Sequence, residues 1–257
     1  MIRLKTEKDI PYLRESGKIL SLVLCTLDVL AQEGLSLSEL DKEAQKIIKE
    51  HNATSAFLGY RGEQGGKPYP ASICTSLNDV IVHGIPNGYC LRKGDVISID
   101  VGINYKGYIT DGAFTKSIGK TTNKIEQFIK ETRRALQDAI TITDINHTLG
   151  DIGAIIEVIA NKRGYGIAEG LTGHGVGFEL HEDPSVYNFG TKNTGMKLKE
   201  GLVLAIEPMF TLGSGEVVEG KEGEFKTKDG LLAAHFEQTI LITNTIPELL
   251  TKLPDLD

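Results

Sequence analysis

Between Gly173 and Pro184 the chain reads GHGVGFELHEDP, with His174 and His181 seven residues apart and Glu182 and Asp183 directly behind. Imidazoles beside carboxylates can coordinate metals or move protons. The helical zinc pattern H-E-x-x-H is not met, because the fourth residue after His181 is Ser185 and Pro184 would break the helix. Gly173, Gly175 and Gly177 point instead to extended, closely packed backbone. On an ideal strand residues seven apart face opposite sides, so the two histidines need a bend or bulge to reach one cleft. Their partners must come from elsewhere in the chain.

Carboxylates supply them. In DVISIDVGINYKGYITDGAFT, a hairpin turned at Asn104 to Gly107 pairs Val101 with Thr110 and Asp100 with Asp111. Like charges directly opposite one another are destabilising, and both acids sit among Ile99, Val101 and Ile109. Either a divalent cation neutralises them, or they lie on a solvated face or are satisfied by lysines and backbone N–H groups. In GLVLAIEPMF the apolar run Leu202 to Ile206 reads as a buried strand, and Glu207 follows where a core residue is expected, held extended by Pro208. A lone Glu at a strand end is commonly a surface residue. Glu237 in AAHFEQTILIT likewise precedes an apolar run and shares a strand face with His235 and Thr239. Two Asp, two Glu and one imidazole form an oxygen-rich set suited to Mn, Fe, Co or Zn. Five ligands exceed one closed tetrahedral site, whereas two ions about 3.5–4 Å apart with bridging carboxylates use them all.

The elements that must hold these residues follow from periodicity. Helical spacing runs from about Thr6 to Glu33, with Gly34 as a stop, and again from a cap at Ser38 to about His51. Further helices are expected near Lys124 to Ala139 and Thr148 to Lys162. The remaining runs, ASICTS, DVIVHG, LVLAIEPMF and EFKTKDGLLAAHFEQTILIT, read as strands. Helices followed by strands in each half predict an α+β protein with an antiparallel sheet and a two-fold internal resemblance. No linker or low-complexity run divides residues 1–257, which are read as one domain.

With 257 residues, 40% hydrophobic and 25% charged, the chain can bury a full core. A net charge of −7 argues against nucleic acid and anionic membranes as partners. The opening stretch lacks the apolar core of a secretion signal, and no run reaches the roughly 18 apolar residues of a membrane span. Cys25, Cys74 and Cys90, odd in number and without C-x-x-C, suit reduced thiols. A cytoplasmic location is expected.

Taken together, NDVIVHGIPN, SIDVGINYKGYITDGAFT, GHGVGFELHEDP, LAIEPMF and HFEQTI resemble, in order and approximate spacing, the motifs of type I methionine aminopeptidases. The resemblance covers nearly the whole chain. It implies the pita-bread (creatinase/aminopeptidase-like) fold: a curved antiparallel sheet, helices on its outer face and pseudo-two-fold halves. It makes Asp100, Asp111, His174, Glu207 and Glu237 the ligands of two divalent metal ions (Co, Mn, Fe or Zn), with Asp111 and Glu237 bridging. His83 and His181 become substrate contacts and Glu207 the general base. Phe57, Tyr60, Tyr69 and Cys74 become the pocket for the methionine side chain, although simple core packing accounts for Phe57 and Cys74 equally well. The implied activity is removal of the N-terminal methionine from peptides and from nascent chains at the ribosome, with a small second residue, by a monomer. Neither a zinc-binding extension nor the helical insertion of the type II enzymes is seen, as in the short bacterial form. Phe57 stands where many relatives have Cys and Leu180 where Phe is usual, and RGEQGGKP, Arg61 to Pro68, is longer than the usual link. There is no Trp to cover the pocket, a place Phe225 could take. His51 and His147 carry no motif and are expected at the surface; His235 is expected to support Glu237.

Overall fold

The computed structural model describes residues 2–62 and 66–254, so part of the Arg61 to Pro68 link lies outside the described residues. Two helices open the chain, α1 (Ile10–Leu30) and α2 (Leu37–Glu50). Strands β1 (Thr54–Ser55), β2 (Cys74–Leu77), β3 (Val80–Val82), β4 (Val96–Tyr105) and β5 (Tyr108–Ser117) follow. The order then repeats, with α3 (Asn123–Thr141) and α4 (Leu149–Arg163) before a second set of strands. These are β6 (Gly166–Ile167), β7 (Gly173–Gly175), β8 (Glu182–Val186), β9 (Val203–Ile206), β10 (Met209–Thr211), β11 (Val217–Glu219), β12 (Phe225–Thr227), β13 (Ala233–His235), β14 (Glu237–Leu241) and β15 (Glu248–Leu249). The main sheet runs β1-β4-β5-β14-β9-β7-β8, with β2 on β4 and β15 on β14, and its pairs are antiparallel.

Helix boundaries differ from the sequence expectation where capping chemistry decides them. The α2 cap is Ser36 rather than Ser38: its hydroxyl accepts from the Glu39 N–H while the Glu39 carboxylate accepts from the Ser36 N–H, a reciprocal capping box. Ahead of α1 the Asp9 carboxylate ties back to the N–H and hydroxyl of Thr6, so the helix starts at Ile10. Leu13, Leu20, Leu24 and Leu27 of α1 are fully buried against β4 and β5. Gly112 makes that fit possible, since a Cβ there would meet Leu20 and Leu24. On the same sheet, α3 packs against β5, β9 and β14 and also touches β13 of the three-stranded sheet β13-β10-β6, with α4 laid on α3.

The β4–β5 hairpin corrects the expected register by two residues. Lys106 and Gly107 both have positive φ, 54° and 89°, as a two-residue hairpin turn of the mirror type demands. Tyr105 therefore pairs with Tyr108, Gly102 with Asp111 and Asp100 with Ala113, so the two acids are diagonal rather than directly opposite. A shift of two keeps both on one face, the face turned away from α1. Small partners, Gly102 and Ala113, stand where a second charge was expected.

Candidate metal centre and substrate cleft

On that face the sheet lines up its chemistry in two adjacent lateral rows. In the first, Cys74 of β2 pairs with Asp100 of β4, Asp100 with Ala113 of β5, and Ala113 with Glu237 of β14. The β9–β14 and β10–β13 ladders share one offset on either side of a break at Glu207-Pro208, which sets Glu207 across from Glu237. At the break the Phe236 N–H donates to the Pro208 carbonyl at 3.3 Å. In the second row Gly102 pairs with Asp111, and Thr239 with Ala205, which pairs in turn with His174 of β7. Thr239 joins Asp111 to that row through its hydroxyl, which accepts from the Asp111 N–H and donates to the Asp111 carbonyl, both at 2.8 Å. Alternation of side chains thus converts residues far apart in sequence into one acidic floor.

The five expected ligands meet there. His174 donates from Nδ1 to the Gly175 carbonyl at 2.9 Å; a carbonyl can only accept, so in the neutral ring Nε2 carries a lone pair. That Nε2 lies 3.4 Å from Glu207 Oε1 and 4.0 Å from both Asp111 Oδ2 and Glu237 Oε1. Ligand atoms of Asp111, His174 and Glu237 all lie within 4.8 Å of one another. Asp100, Asp111, Glu207 and Glu237 are at most 9% exposed. Burial, then the neighbouring carboxylates, drives Asp111 and Glu237 well above the usual carboxylate range, and burial alone does so for Glu207; burial, opposed by the charge of His235 and reinforced by that of Glu207, raises Asp100 to about 7. His174 is lowered to about 4, burial again being the main cause. Asp100 Oδ1 and Glu237 Oε1 are buried without a hydrogen-bond partner. A lone pair facing crowded, desolvated carboxylates is repulsive without a cation, so the donor set fits divalent metal.

His235 also reaches this floor. Its Nε2 is 3.3 Å from Glu207 Oε2 and 4.0 Å from Glu237 Oε2, so it sits closer to Glu207 than to the Glu237 it was expected to support. The Thr115 hydroxyl accepts from the His235 N–H and donates to its carbonyl. Asn188, buried and missed from the sequence, donates from Nδ2 to the Glu207 carbonyl at 2.9 Å and braces the strand break. A single Asn in VYNFG carries no periodic or motif signal that could have revealed this.

Above the floor a cavity of about 440 Å³ opens, and all eleven residues expected at the site line it. Phe57 and Tyr69 meet edge to face at 6.4 Å between ring centroids, and Tyr69 spends its hydroxyl on the Ile73 and Gly84 carbonyls. With Cys74, Leu180, Val82 and Met209 they make an apolar recess beside Asp100 and Asp111. Phe57 and Cys74 are both core-packed and cavity-lining. The place of Phe57 depends on Gly102, where a Cβ would lie 2.6 Å from the ring. Phe225 packs against the His83 ring at 5.5 Å and is not among the cavity-lining residues.

The two histidines of the opening motif do reach one cleft. Between β7 and β8 the chain turns back, so the strand parity of His174 does not extend to His181. Their rings meet edge to face at 4.5 Å, and His181 Nδ1 lies 2.6 Å from the Tyr60 hydroxyl. Gly173 and Gly175 permit this close approach, because a Cβ at either would strike the carbonyl of Ala205 or Asp183. His181 and His83 face the cavity with solvent-accessible surface, yet its walls desolvate both: His181 is lowered to about 3 and His83 to about 4, each with help from neighbouring histidines. His83 itself holds a left-handed φ of 62° at the end of β3. His51 is exposed, and His147 is half-exposed and paired with Asp144 at 2.8 Å.

Comparison with known proteins places this site in context. The model for metallopeptidase family M24 matches residues 11–244. A methionine aminopeptidase of Clostridium acetobutylicum is 40% identical over 253 residues, covering 98% of this chain and 99% of that protein. The crystal structure of methionine aminopeptidase from Thermotoga maritima superposes with a TM-score of 0.93 at 36% identity, covering 98% of this chain and 100% of that one. Prolidase from Pyrococcus furiosus shares the fold, with a TM-score of 0.77 at 23% identity over 66% of its own chain.

Proposed function

The chain belongs to metallopeptidase family M24, within its methionine aminopeptidases, and from that premise we propose that Asp100, Asp111, His174, Glu207 and Glu237 hold two divalent ions beside a methionine-shaped pocket. The activity is metal-dependent removal of the N-terminal methionine. When bound, the metal supplies Lewis-acid polarisation of the scissile carbonyl and lowers the pKa of water. Glu207 takes a proton from the attacking water and passes it to the leaving amine, a task suited to a carboxylate braced by Asn188 through its backbone. His181 donates to the carbonyl oxygen as negative charge develops, and His83 contacts the scissile amide. Both imidazoles are held neutral by desolvation, so each can offer one N–H without a buried positive charge. Phe57, Tyr60, Tyr69 and Cys74 line the slot for an unbranched thioether side chain. Residues 1–257 act as one catalytic domain, since strands from both halves of the chain pair side by side in the nine-stranded main sheet.

One observation carries the metal reading: the His174 lone pair and three buried carboxylates converge within about 4 Å, with orphaned oxygens beside them. The finer parts of the proposal are a second residue of Gly, Ala or Ser, which the ring-walled cleft favours, and action on nascent chains at the ribosome by a cytoplasmic monomer. Support for that setting comes from Cys25, Cys74 and Cys90, which form no disulfide, and from the described helices, none of which is long and apolar enough to cross a membrane. The experiment is hydrolysis of Met-Ala-Ser, Met-Leu-Ser and Xaa-Pro peptides by purified protein across a Co, Mn, Fe and Zn series, with bound metal counted. Two ions per chain and turnover of Met-Ala-Ser alone are expected. Preferential cleavage of Xaa-Pro peptides, or a single ion at full activity, would overturn the assignment.

A further inference from the structure

His181 is carried by a turn between β7 and β8 whose only regular anchors are three- and five-residue strands, yet its imidazole must stay registered against the cleft. A side chain from the N-terminal segment closes that turn. Lys5 lies in the segment before α1, fixed by its N–H to the Gly201 carbonyl at 2.7 Å. Its Nζ makes a 2.7 Å ion pair with Glu182 Oε2, and the two side chains are only 1% and 4% exposed. The other oxygen, Glu182 Oε1, accepts from the N–H groups of Phe178 and Glu179 at 2.6 and 3.0 Å. Glu182 thus gathers the turn from inside while Lys5 holds Glu182 from beneath. The Phe178 ring lies 5.0 Å from the Lys5 ammonium and 5.2 Å from the Arg3 guanidinium. Gly177 is shaped to the same purpose: at φ 138° a Cβ would run into the lysine stem.

A buried ion pair is a poor device for stability, because desolvation of both charges offsets their attraction, but it is a good one for fixing geometry. Glu182 directly follows His181, and on adjacent residues of an extended chain side chains point to opposite sides. What holds one therefore orients the other. We infer that Lys5 is a positioning residue for His181, acting through its buried ion pair with Glu182 to set where the imidazole sits in the cleft. The inference rests on the donor role given to His181 above.

The test is a double-mutant cycle on the metal-loaded enzyme with Met-Ala-Ser as substrate. His181→Ala should lower kcat by about 10²- to 10³-fold, as a lost oxyanion donor does. Lys5→Met should lower kcat by about 10- to 100-fold, since misplacement near 1 Å costs that order, with KM within about threefold. In Lys5→Met/His181→Ala the two losses should not multiply, leaving kcat within about threefold of His181→Ala alone. Calorimetric titration of ion-free protein with Mn²⁺ should give Lys5→Met the unmodified protein's affinity, because His174 is anchored by its pairing with Ala205 of β9 and the acids lie on or beside β4, β5, β9 and β14. Should Lys5→Met not fold, Lys5→Met/Glu182→Gln removes both buried charges, keeps an acceptor for the turn, and should show the same kcat loss and the same failure to multiply. Full kcat in the folded lysine variants, fully multiplicative losses, or Mn²⁺ affinity falling in step with kcat would overturn the positioning role. Full kcat in His181→Ala would instead overturn the donor assignment on which it rests.

Discussion

Gly102→Ala tests whether the register of the hairpin shapes the substrate pocket. Gly102 pairs with Asp111 and leaves empty the space that the Phe57 ring fills. An added Cβ would stand 2.6 Å from Phe57 Cε1, 3.0 Å from Cδ1 and 3.1 Å from the Ala56 Cβ. Carbon atoms pack at about 3.5–4.0 Å, so the ring must retreat by about 1 Å. Tyr69, Leu180 and Cys74 pack around the same ring, and the cavity is the open side. Overpacking of this kind costs about 1–3 kcal/mol, and the lower entropy of an unfolded Ala returns about 0.4–1 kcal/mol at a position without positive φ. The net, about 0–2.5 kcal/mol, should lower Tm by no more than about 10 °C. The larger effect is on substrate: a ring pushed into the slot by about a methyl radius should cost on the order of a misplaced methylene, about 10- to 100-fold in kcat/KM, mostly through KM. Steady-state kinetics on Met-Ala-Ser with calorimetric Mn²⁺ titration measures both, and the metal affinity should not change. Phe57→Leu in the Gly102→Ala background should recover most of the loss. An unaltered KM, or no recovery with Phe57→Leu, would refute the argument that this glycine makes the pocket.

Asp111→Asn keeps shape but removes the charge of a proposed bridging ligand, so it should fold and lose nearly all turnover; near-normal activity at saturating metal would count against a two-ion site. His174→Ala should weaken binding of one ion and recover activity only partly at high metal, whereas His181→Ala should keep metal affinity and lose kcat by about 10²- to 10³-fold. Equal loss of affinity in both, read by calorimetry, would reject that division. Ion-free protein should also lose stability as pH rises above about 6.5. Asp111, Glu207 and Glu237, raised well above their unfolded values, keep protons in the folded state that the unfolded chain has released, so their contribution fades as pH rises. The depressed imidazoles His83, His174 and His181 oppose this from about pH 3 to 4 up to about 6.5, where the unfolded chain takes up protons and the folded one does not. Tm of the ion-free form, measured without and with Mn²⁺, should fall with pH and flatten once the ion displaces the protons; a rise would contradict the burial of the acids.

Much of this was legible in one dimension. In α1 the spacing of Leu13, Leu20, Leu24 and Leu27 marks the buried stripe, although the same spacing also takes in Val29 and Leu30, which are exposed; the glycine-studded motif and the isolated acids beside apolar runs are likewise local patterns that periodicity or burial cost interprets. Even the wrong hairpin register left Asp100 and Asp111 on the correct face, because the slip was two residues and side chains alternate with period two. The register itself was decided by which residues accept positive φ, Lys106 and Gly107, a backbone property that the hydrophobic pattern does not report.

Tertiary structure alone decided the contacts between residues distant in the chain. The alternation argument for His174 and His181 required a bend or bulge between them, and only the folded chain showed what supplies it, the return between β7 and β8. The closer approach of His235 to Glu207, the brace from Asn188, the Tyr60 hydroxyl on His181 and the Lys5–Glu182 pair arise from how sheet rows and loops stack, with the lysine and glutamate 177 residues apart. Such pairs carry no spacing signal, because a sequence encodes them only through the whole of the packing, where burial leaves each polar group few partners within reach.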